Sequence, residues 1–427
     1  AARAPDLIVG DNLDFEVARW RDLARLEEAY LAALHGRGVR FRGESAGLAV
    51  EHPPHLPGVE GIVLPGLLSP IPALYRVLEA LGLPVTVLVH AAPEADGNFD
   101  AWGRVVPRAD GFLDELGVRD EAVSVFATPG AEAAHVANWF ASVPPAEALP
   151  ALTLVDGDLF PELSGAFQTK GLTLHNPARE AVATSSLGHL LGQLVALSEE
   201  PRYDVFSAFI RQGDVQRWLA SALGLSRLAL VRTLGQLDRL KADHLPETLD
   251  DVRTFAEGDL RRVVEFVRER LARAEDREFA SAAEAVRDMF DEFAGLAFPA
   301  SRARVLFAKR LAGATYTLEP DAGDVVQTDG WLEVPWLAED ELVIAGFQEG
   351  RVPESVVGHP FLPDALRKGL GLLTNEMRAA RDAFILKEAC TCRPPQNVRL
   401  SFHALASDAT ALKPSRLLLR TRDAAAS

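Results

Sequence analysis

Short apolar runs that alternate with helical stretches are the feature that most constrains the fold of this chain. The runs predicted to form strands are GIVL (61–64), PVTVLVH (84–90), AVSVFATP (122–129) and ALTLVD (151–156). Between them, apolar residues recur at three- and four-residue spacing, the period of an amphipathic helix, as in 14–36 and 131–143. A strand, a helix and a second strand in succession form a parallel pair, so the sequence predicts an α/β fold.

From about residue 183 the pattern becomes helical. One apolar stripe comprises Leu187, Leu190, Leu191, Leu194 and Leu197, and a second comprises Leu260, Val263, Val264, Val267 and Leu271. Strand signals return beyond about 326, in WLEVP (331–335), ELVIAGF (341–347) and VRLSF (398–402), with a helix around 376–389. We therefore predict one α/β domain at 1–120 and a second made of 121–182 and 326–427. A helical domain at 183–325 is inserted into the second.

The charge balance restricts the kind of partner. The net charge of −17 arises from 61 acidic against 44 basic residues, which opposes a large uniform nucleic-acid surface but permits a local basic groove or a basic partner chain. No apolar run reaches the roughly 20 residues of a membrane span, so no membrane contact is expected. The opening AARAPDLIVG is neither a Met start nor a signal peptide, and we expect a fragment of a longer protein or a processed product.

The two cysteines, Cys390 and Cys392, form a Cys-Thr-Cys pattern. Cysteines separated by one residue rarely pair with each other, and no motif in the sequence completes a metal site around them. We expect reduced thiols in a cytoplasmic protein, with no bound metal and no cofactor.

The sequence lacks the parts of a nucleotide-hydrolysing site. A Walker-type phosphate loop needs Gly-Lys-Ser/Thr after a strand, and no Gly-Lys dipeptide occurs in the chain. The predicted strand GIVL ends in Pro65-Gly66, where a Walker B strand would end in acidic residues that hold magnesium. We therefore predict no catalytic residue within these 427 residues.

Asp156 and Asp158, in LVDGDLF, follow a predicted strand and open a helix. Aspartates in this position commonly cap the helix, and that interpretation is favoured. A metal site is the alternative. With Gln168 and Lys170 the aspartates also form a faint nuclease-like pattern, but these two residues fall at a helix end instead of on a second strand.

The last third of the chain resembles a known family. GFQEGRVPES (346–355) and HPFLPDALRKGLGLLTNEMRAARDAFIL (359–386) are similar to the Gly-x-x-Glu-Gly-x-x-Pro, Leu-Pro-Asp-x-x-Arg, Leu-Gly-Leu and Arg-x-x-Arg-Asp elements of one family, in the same order. That family is the inactivated superfamily I helicase region of AddB-type proteins, the nuclease-bearing subunits of bacterial double-strand-break repair helicase–nucleases. Weaker similarity extends over roughly residues 14 to 420.

This resemblance implies two RecA-like, P-loop NTPase-like domains with a helical insertion in the second. It implies that GFQEGRVPE forms the loop that a working helicase turns toward DNA and nucleotide at the carboxyl edge of the sheet. By the same resemblance, Arg351, Arg367, Arg378 and Arg381 are candidates for contacts to DNA phosphates. The alternatives are that the glycines and proline of this loop serve backbone geometry, and that each arginine is solvated or ion-paired.

The function implied is a non-catalytic, DNA-engaging module for DNA repair and recombination. It would grip or scan single-stranded DNA or the end of a duplex, beside an active AddA-type helicase–nuclease subunit. A purely structural scaffold that joins the motor subunit to a nuclease domain is the alternative. In a third hypothesis the parent protein is a PD-(D/E)XK exonuclease whose catalytic domain lies beyond residue 427. The iron–sulfur cluster of some relatives needs four cysteines, and this chain has two.

Overall fold

The computed structural model describes residues 14–66, 68, 72–107, 113, 116–144, 149–199, 202–244, 277–294, 300–318, 325–356, 359 and 361–420. Contacts between residues divide the chain into two units. The first comprises Ala1–His175 and Gly323–Ser427, and the second comprises Asn176–Ala322. Among the described residues, no helix has both the length and the apolar character needed to cross a membrane.

The first unit is mixed α/β. Its helices are α1 (Asp14–His35), α2 (Ser45–Glu51), α3 (Pro72–Leu81), α4 (Pro129–Ser142), α5 (Phe160–Thr169), and, after the second unit, α12 (Asp364–Gly369) and α13 (Asn375–Thr391). Its strands are β1 (Ile62–Pro65), β2 (Val85–Leu88), β3 (Val123–Phe126), β4 (Ala151–Leu154), β5 (Thr173–His175), β8 (Val325–Asp329), β9 (Leu342–Ala345) and β10 (Val398–His403).

Six of these strands form one parallel sheet in the order β3-β10-β9-β4-β8-β5. Strand β9 is central and fully buried, because apolar side chains cover both faces of the sheet, as is usual for parallel strands. Leu342 and Ile344 belong to the core formed with α13, whereas Val343 and Ala345 belong to the core formed with α4 and α5. This alternation follows from the two-residue period of a strand. The predicted α/β class is confirmed at this level.

Strands β1 and β2 form a separate two-stranded parallel sheet, in the register Ile62 with Val85. The segment around it shares a hydrophobic core with the C-terminal third of the chain. Leu68 and Val105 lie in one cluster of buried residues with Phe384, and the ring of Phe99 meets that of Phe384 edge-on at 5.1 Å. The division of the chain by contacts places no boundary at residue 120, where the sequence predicted one.

The second unit is helical. Its helices are α6 (Ser186–Glu199), α7 (Tyr203–Phe209), α8 (Gly213–Leu223), α9 (Arg227–His244), α10 (Arg277–Ala294) and α11 (Ala300–Ala312). The stripe that includes Leu187, Leu190 and Leu197 is buried in its core with Phe209 and Phe279. A short antiparallel pair, β6 (Glu180–Ala181) with β7 (Thr315–Tyr316), also belongs to this unit. Strand β6 lies before the range predicted to be helical, and β7 lies within it. A strand of two residues is too short to show a period in the sequence. The second predicted stripe, from Leu260 to Leu271, lies outside the described residues.

One strand prediction is wrong. WLEVP belongs to a 3₁₀ helix, Trp331–Trp336, with Pro335 inside it. Proline has no N–H to donate to a neighbouring strand, which disfavours a central strand there. The strand in this part of the sheet is β8, just upstream, where the polar residues Gln327, Thr328 and Asp329 hid the pattern.

Candidate functional site at the carboxyl edge of the large sheet

A cleft of about 530 Å³ lies at the carboxyl edge of the six-stranded sheet. The loops that follow β4, β9 and β10 line it, together with Pro129 at the start of α4. Ligands of open parallel sheets commonly bind at this edge. Its described lining includes the ionisable side chains of Asp156, Asp158, Glu349, Arg351, His403 and Asp408.

The GFQEG turn begins at Gly346, directly after β9, and two constraints require glycine there. Its φ is +73°, in the left-handed region that favours glycine. A Cβ at this position would lie 2.7 Å from the Cβ of Asp156 and 3.0 Å from its backbone nitrogen. The turn after β9 therefore packs directly on the turn after β4, and this brings the two loops of the cleft together.

A buried carboxylate holds this turn in place. Glu132, in the first turn of α4, has no solvent exposure. Its Oε1 accepts hydrogen bonds from the backbone N–H of Gly346 at 2.9 Å and from the hydroxyl of Ser401 at 2.6 Å. Its Oε2 lies 2.6 Å from Nδ1 of His403. The Glu132 carboxylate thus links α4, the turn after β9 and the end of β10.

His403 continues the same network toward the cleft. Its Nε2 lies 2.8 Å from the amide nitrogen of Gln348, which is also buried. The same Gln348 nitrogen lies 3.1 Å from Nδ1, and a proton on Nδ1 is donated to Glu132. Ser401 donates to Glu132 and not to His403, so these residues do not form the arrangement of an activated serine nucleophile.

Arg351 is the candidate arginine that lies in the cleft. Its side chain is 48% exposed, and its Nη2 lies 3.0 Å from Oδ1 of Asp156 and 2.5 Å from Oδ2 of Asp158. Asp156 also accepts a hydrogen bond from the backbone N–H of Asp158 at 3.2 Å and so caps the 3₁₀ helix Gly157–Leu159, whereas α5, which follows it, has no side-chain cap. Two carboxylates therefore already neutralise the guanidinium of Arg351.

Glu349 and Arg416 form the rim of the cleft. Arg416 donates to Glu349 from its guanidinium and, at 2.9 Å, from its backbone N–H. Hydrogen bonding to Arg416 lowers the pKa of Glu349 below its ordinary value. The pair fixes the segment after β10 against the turn after β9.

The other three candidate arginines do not lie in this cleft. Arg367 is half-buried and donates from Nε to the carbonyl of Leu362 at 2.9 Å. Arg378 and Arg381 are buried, and both lie near Glu354, at 3.4 and 3.8 Å.

Arg381 also pairs with the buried carboxylate of Asp382 at 2.7 Å. Asp382 accepts hydrogen bonds from the Trp331 indole at 3.2 Å and from the backbone N–H of Glu354 at 3.1 Å. The Arg-x-x-Arg-Asp element thus connects α13 to the loop that follows GFQEG. Arg378 and Arg381 therefore lie in ion pairs, which is the alternative to a DNA contact given above.

The carboxyl edge of the small sheet has a different character. Gly66, which follows β1, has a φ of +61°, and a Cβ there would lie 2.2 Å from three atoms of the Trp336 indole. An acidic side chain at this position would clash with Trp336. Local packing therefore excludes a side chain at residue 66.

Sequence reasoning missed Glu132, Gln348, Ser401 and His403. A signal was present, because Glu132 is the one acidic residue in AEAAHVANWF, and a carboxylate on a helix face that packs on a sheet needs partners. Its partners lie more than 200 residues away along the chain. A scan against models of known protein families finds no match, and a search of curated proteins finds no matching relative.

Proposed function

We propose that this chain is a non-catalytic, helicase-like module that engages single-stranded DNA or a duplex end beside a motor subunit. The observation that carries the proposal is the position of Arg351, in a cleft at the carboxyl edge of a parallel sheet and in a loop similar to the AddB-type element. The proposal includes the prediction that the chain has two RecA-like domains and that the second carries the helical unit. In it, the DNA backbone follows the carboxyl edge of the large sheet without nucleotide turnover.

The electrostatics of the cleft define how such binding works. Arg351 is the guanidinium of the cleft lining, and it is held by Asp156 and Asp158. A phosphate group binds there by displacing a carboxylate, so affinity is modest and depends on salt. Replacing Asp158, whose side chain is 85% exposed, removes a competitor without opening the core.

The test is the binding of the full 427-residue chain to a fluorescently labelled oligothymidine, followed by anisotropy at several salt concentrations. Arg351→Gln is expected to weaken binding and to reduce the slope of log affinity against log salt by about 0.7, the value for one phosphate contact on a single strand. Asp158→Asn is expected to tighten binding, because the carboxylate no longer competes with phosphate.

Arg119→Gln is the matched control. Arg119 is exposed and precedes β3, at the amino edge of the sheet. Arg119→Gln therefore removes the same charge as Arg351→Gln, but at the opposite edge of the sheet. Equal effects of Arg119→Gln and Arg351→Gln would overturn the placement of DNA at the carboxyl edge. No binding at low salt would overturn DNA engagement altogether.

The second candidate is a structural scaffold that joins a motor subunit to a nuclease domain. The observation in its favour is that Arg378 and Arg381 are buried and paired within the unit, while the cleft is lined with carboxylates. The scaffold predicts that the chain co-purifies with an AddA-type subunit and that Arg351→Gln leaves this association unchanged. Loss of co-purification in Arg351→Gln would count against it.

A further inference from the structure

Three metal-binding side chains from distant parts of the sequence meet beside the small sheet. His90 follows β2, and Glu388 and Cys392 lie four residues apart at the end of α13, which places them on the same side of the helix. Their donor atoms lie within 4.8 Å of one another. The separations are 4.0 Å for His90 Nδ1 to Glu388 Oε2, 4.0 Å for Cys392 Sγ to His90 Nδ1, and 3.7 Å for Cys392 Sγ to Glu388 Oε2.

These separations are close to those of a bound zinc ion. Bonds of about 2.0–2.3 Å in a tetrahedral arrangement place neighbouring N, O and S donors about 3.4–3.6 Å apart. A contraction of roughly 0.6 Å at most is therefore sufficient. His90 and Cys392 are exposed, so solvent space is available for this movement, whereas Glu388 is buried.

The surroundings of the three groups favour an ordered site. The His90 ring meets the Trp336 indole edge-on, with centroids 5.6 Å apart and planes at 64°. The thiol of Cys392 donates to the Glu388 carboxylate.

We propose that His90, Glu388 and Cys392 bind one zinc-type divalent cation, with water in the fourth position. A thiolate, an imidazole and a carboxylate together suit a borderline-soft ion such as Zn²⁺ better than Mg²⁺ or Ca²⁺. On binding, the Cys392 thiol releases its proton to solvent and the sulfur–metal bond forms, with no change in oxidation state. The ion joins the end of β2 to the end of α13, and it requires neither DNA nor a motor subunit.

Cys390 provides the matched control for Cys392. It is two residues away on the same helix, but its side chain is buried in the hydrophobic core with Phe384 and is not among the three clustered donors. His55, which is exposed in the segment before β1, is the control for His90.

The test uses the full chain without an affinity tag, titrated with Co²⁺ and then with Zn²⁺. The native protein is expected to bind one Co²⁺ and to show a thiolate-to-cobalt charge-transfer band that Zn²⁺ removes. Cys392→Ser is expected to lose this band, and His90→Ala is expected to lower Zn²⁺ affinity more than about 100-fold, since changes outside the ligand set alone cost 10–100-fold. Cys390→Ala and His55→Ala are expected to match the native protein.

Thermal unfolding gives an independent measurement. Zn²⁺ is expected to raise the Tm of the native chain and of Cys390→Ala, and to leave that of Cys392→Ser unchanged. Absence of the charge-transfer band in folded native protein would overturn the proposal. An equal rise of Tm in Cys392→Ser would overturn it as well, because the ion would then bind elsewhere.

Discussion

The two parallel sheets of the first unit present the same backbone arrangement at their carboxyl edges, yet the space beyond the strands differs. Beyond β1, the Trp336 indole lies where a side chain on residue 66 would project. Beyond β9 and β4, the loops leave a cleft of about 530 Å³ lined with ionisable groups. A parallel-strand edge therefore does not make a site by itself. The side chains of the loops decide how much space is left beyond each strand.

The largest expected effect comes from removing the Glu132 carboxylate, which holds the turns beside the cleft of the large sheet. Glu132→Ala leaves the N–H of Gly346, the hydroxyl of Ser401 and the imidazole of His403 without their buried acceptor. We expect a loss of about 3–5 kcal/mol in the free energy of unfolding, because three buried donors lose their acceptor and each unsatisfied donor costs about 1–3 kcal/mol. Urea unfolding followed by circular dichroism and tryptophan fluorescence measures it.

Glu60→Ala is the control for this change, because Glu60 is exposed in the loop before β1. It should change the free energy of unfolding by no more than about 0.5 kcal/mol. If the two variants unfold alike, the Glu132 network does not support the turns beside the cleft, and the comparison of the two edges loses its physical basis.

The packed end of β1, where the Trp336 indole covers Gly66, is tested by Gly66→Ala. The new methyl group meets the Trp336 indole, and the left-handed backbone adds strain, so we expect a loss of about 1–3 kcal/mol in the free energy of unfolding. Trp336→Ala in the same chain should recover part of this loss, because the steric conflict is gone. A double-mutant cycle measures the coupling, and strictly additive losses would show that the indole does not occupy this space.

The smallest expected effect concerns the rim of the cleft. The hydrogen bond from Arg416 lowers the pKa of Glu349, so the pair stabilises the fold above the ordinary pKa of 4.5, and this stability is lost as the pH falls through the lowered value. Arg416→Gln should abolish this contribution. Since Arg416 is 61% exposed, we expect a difference of at most about 1 kcal/mol at neutral pH.

The measurement is unfolding by urea between pH 3 and pH 7 for the native chain, Arg416→Gln and the exposed control Arg119→Gln. The difference between the native chain and Arg416→Gln should shrink toward acidic pH, while Arg119→Gln should follow the native curve. A difference that grows as the pH falls would contradict the assignment of the Glu349–Arg416 pair.

The sequence predicted much of the α/β unit because its strands are apolar and its helices amphipathic. Strands β4 and β9 and helices α4 and α13 are each found where these patterns placed them. WLEVP was misread because its alternating apolar residues imitate a strand although it contains Pro335. Strand β8 was missed because it carries Gln327, Thr328 and Asp329.

The candidate site was predicted in part. The position of the GFQEG turn after a buried strand and the capping role of Asp156 followed from local signals. Local signals did not predict the pairing of Arg351 with Asp158 or the contacts of Glu132. These contacts join residues that are 193 and more than 200 positions apart in the chain. Such contacts are set by the order of strands in the sheet. A single sequence does not encode that order in any short window.

The strand order also defines what the helical unit connects. Strands β5 and β8 are parallel neighbours, and a parallel pair needs a crossover of a dozen or more residues to carry the chain back to the starting edge. Residues 176–322 supply that connection. A single crossover helix between β5 and β8 would satisfy the same topology, so the size of this connection places no demand on the hydrogen bonding of the sheet.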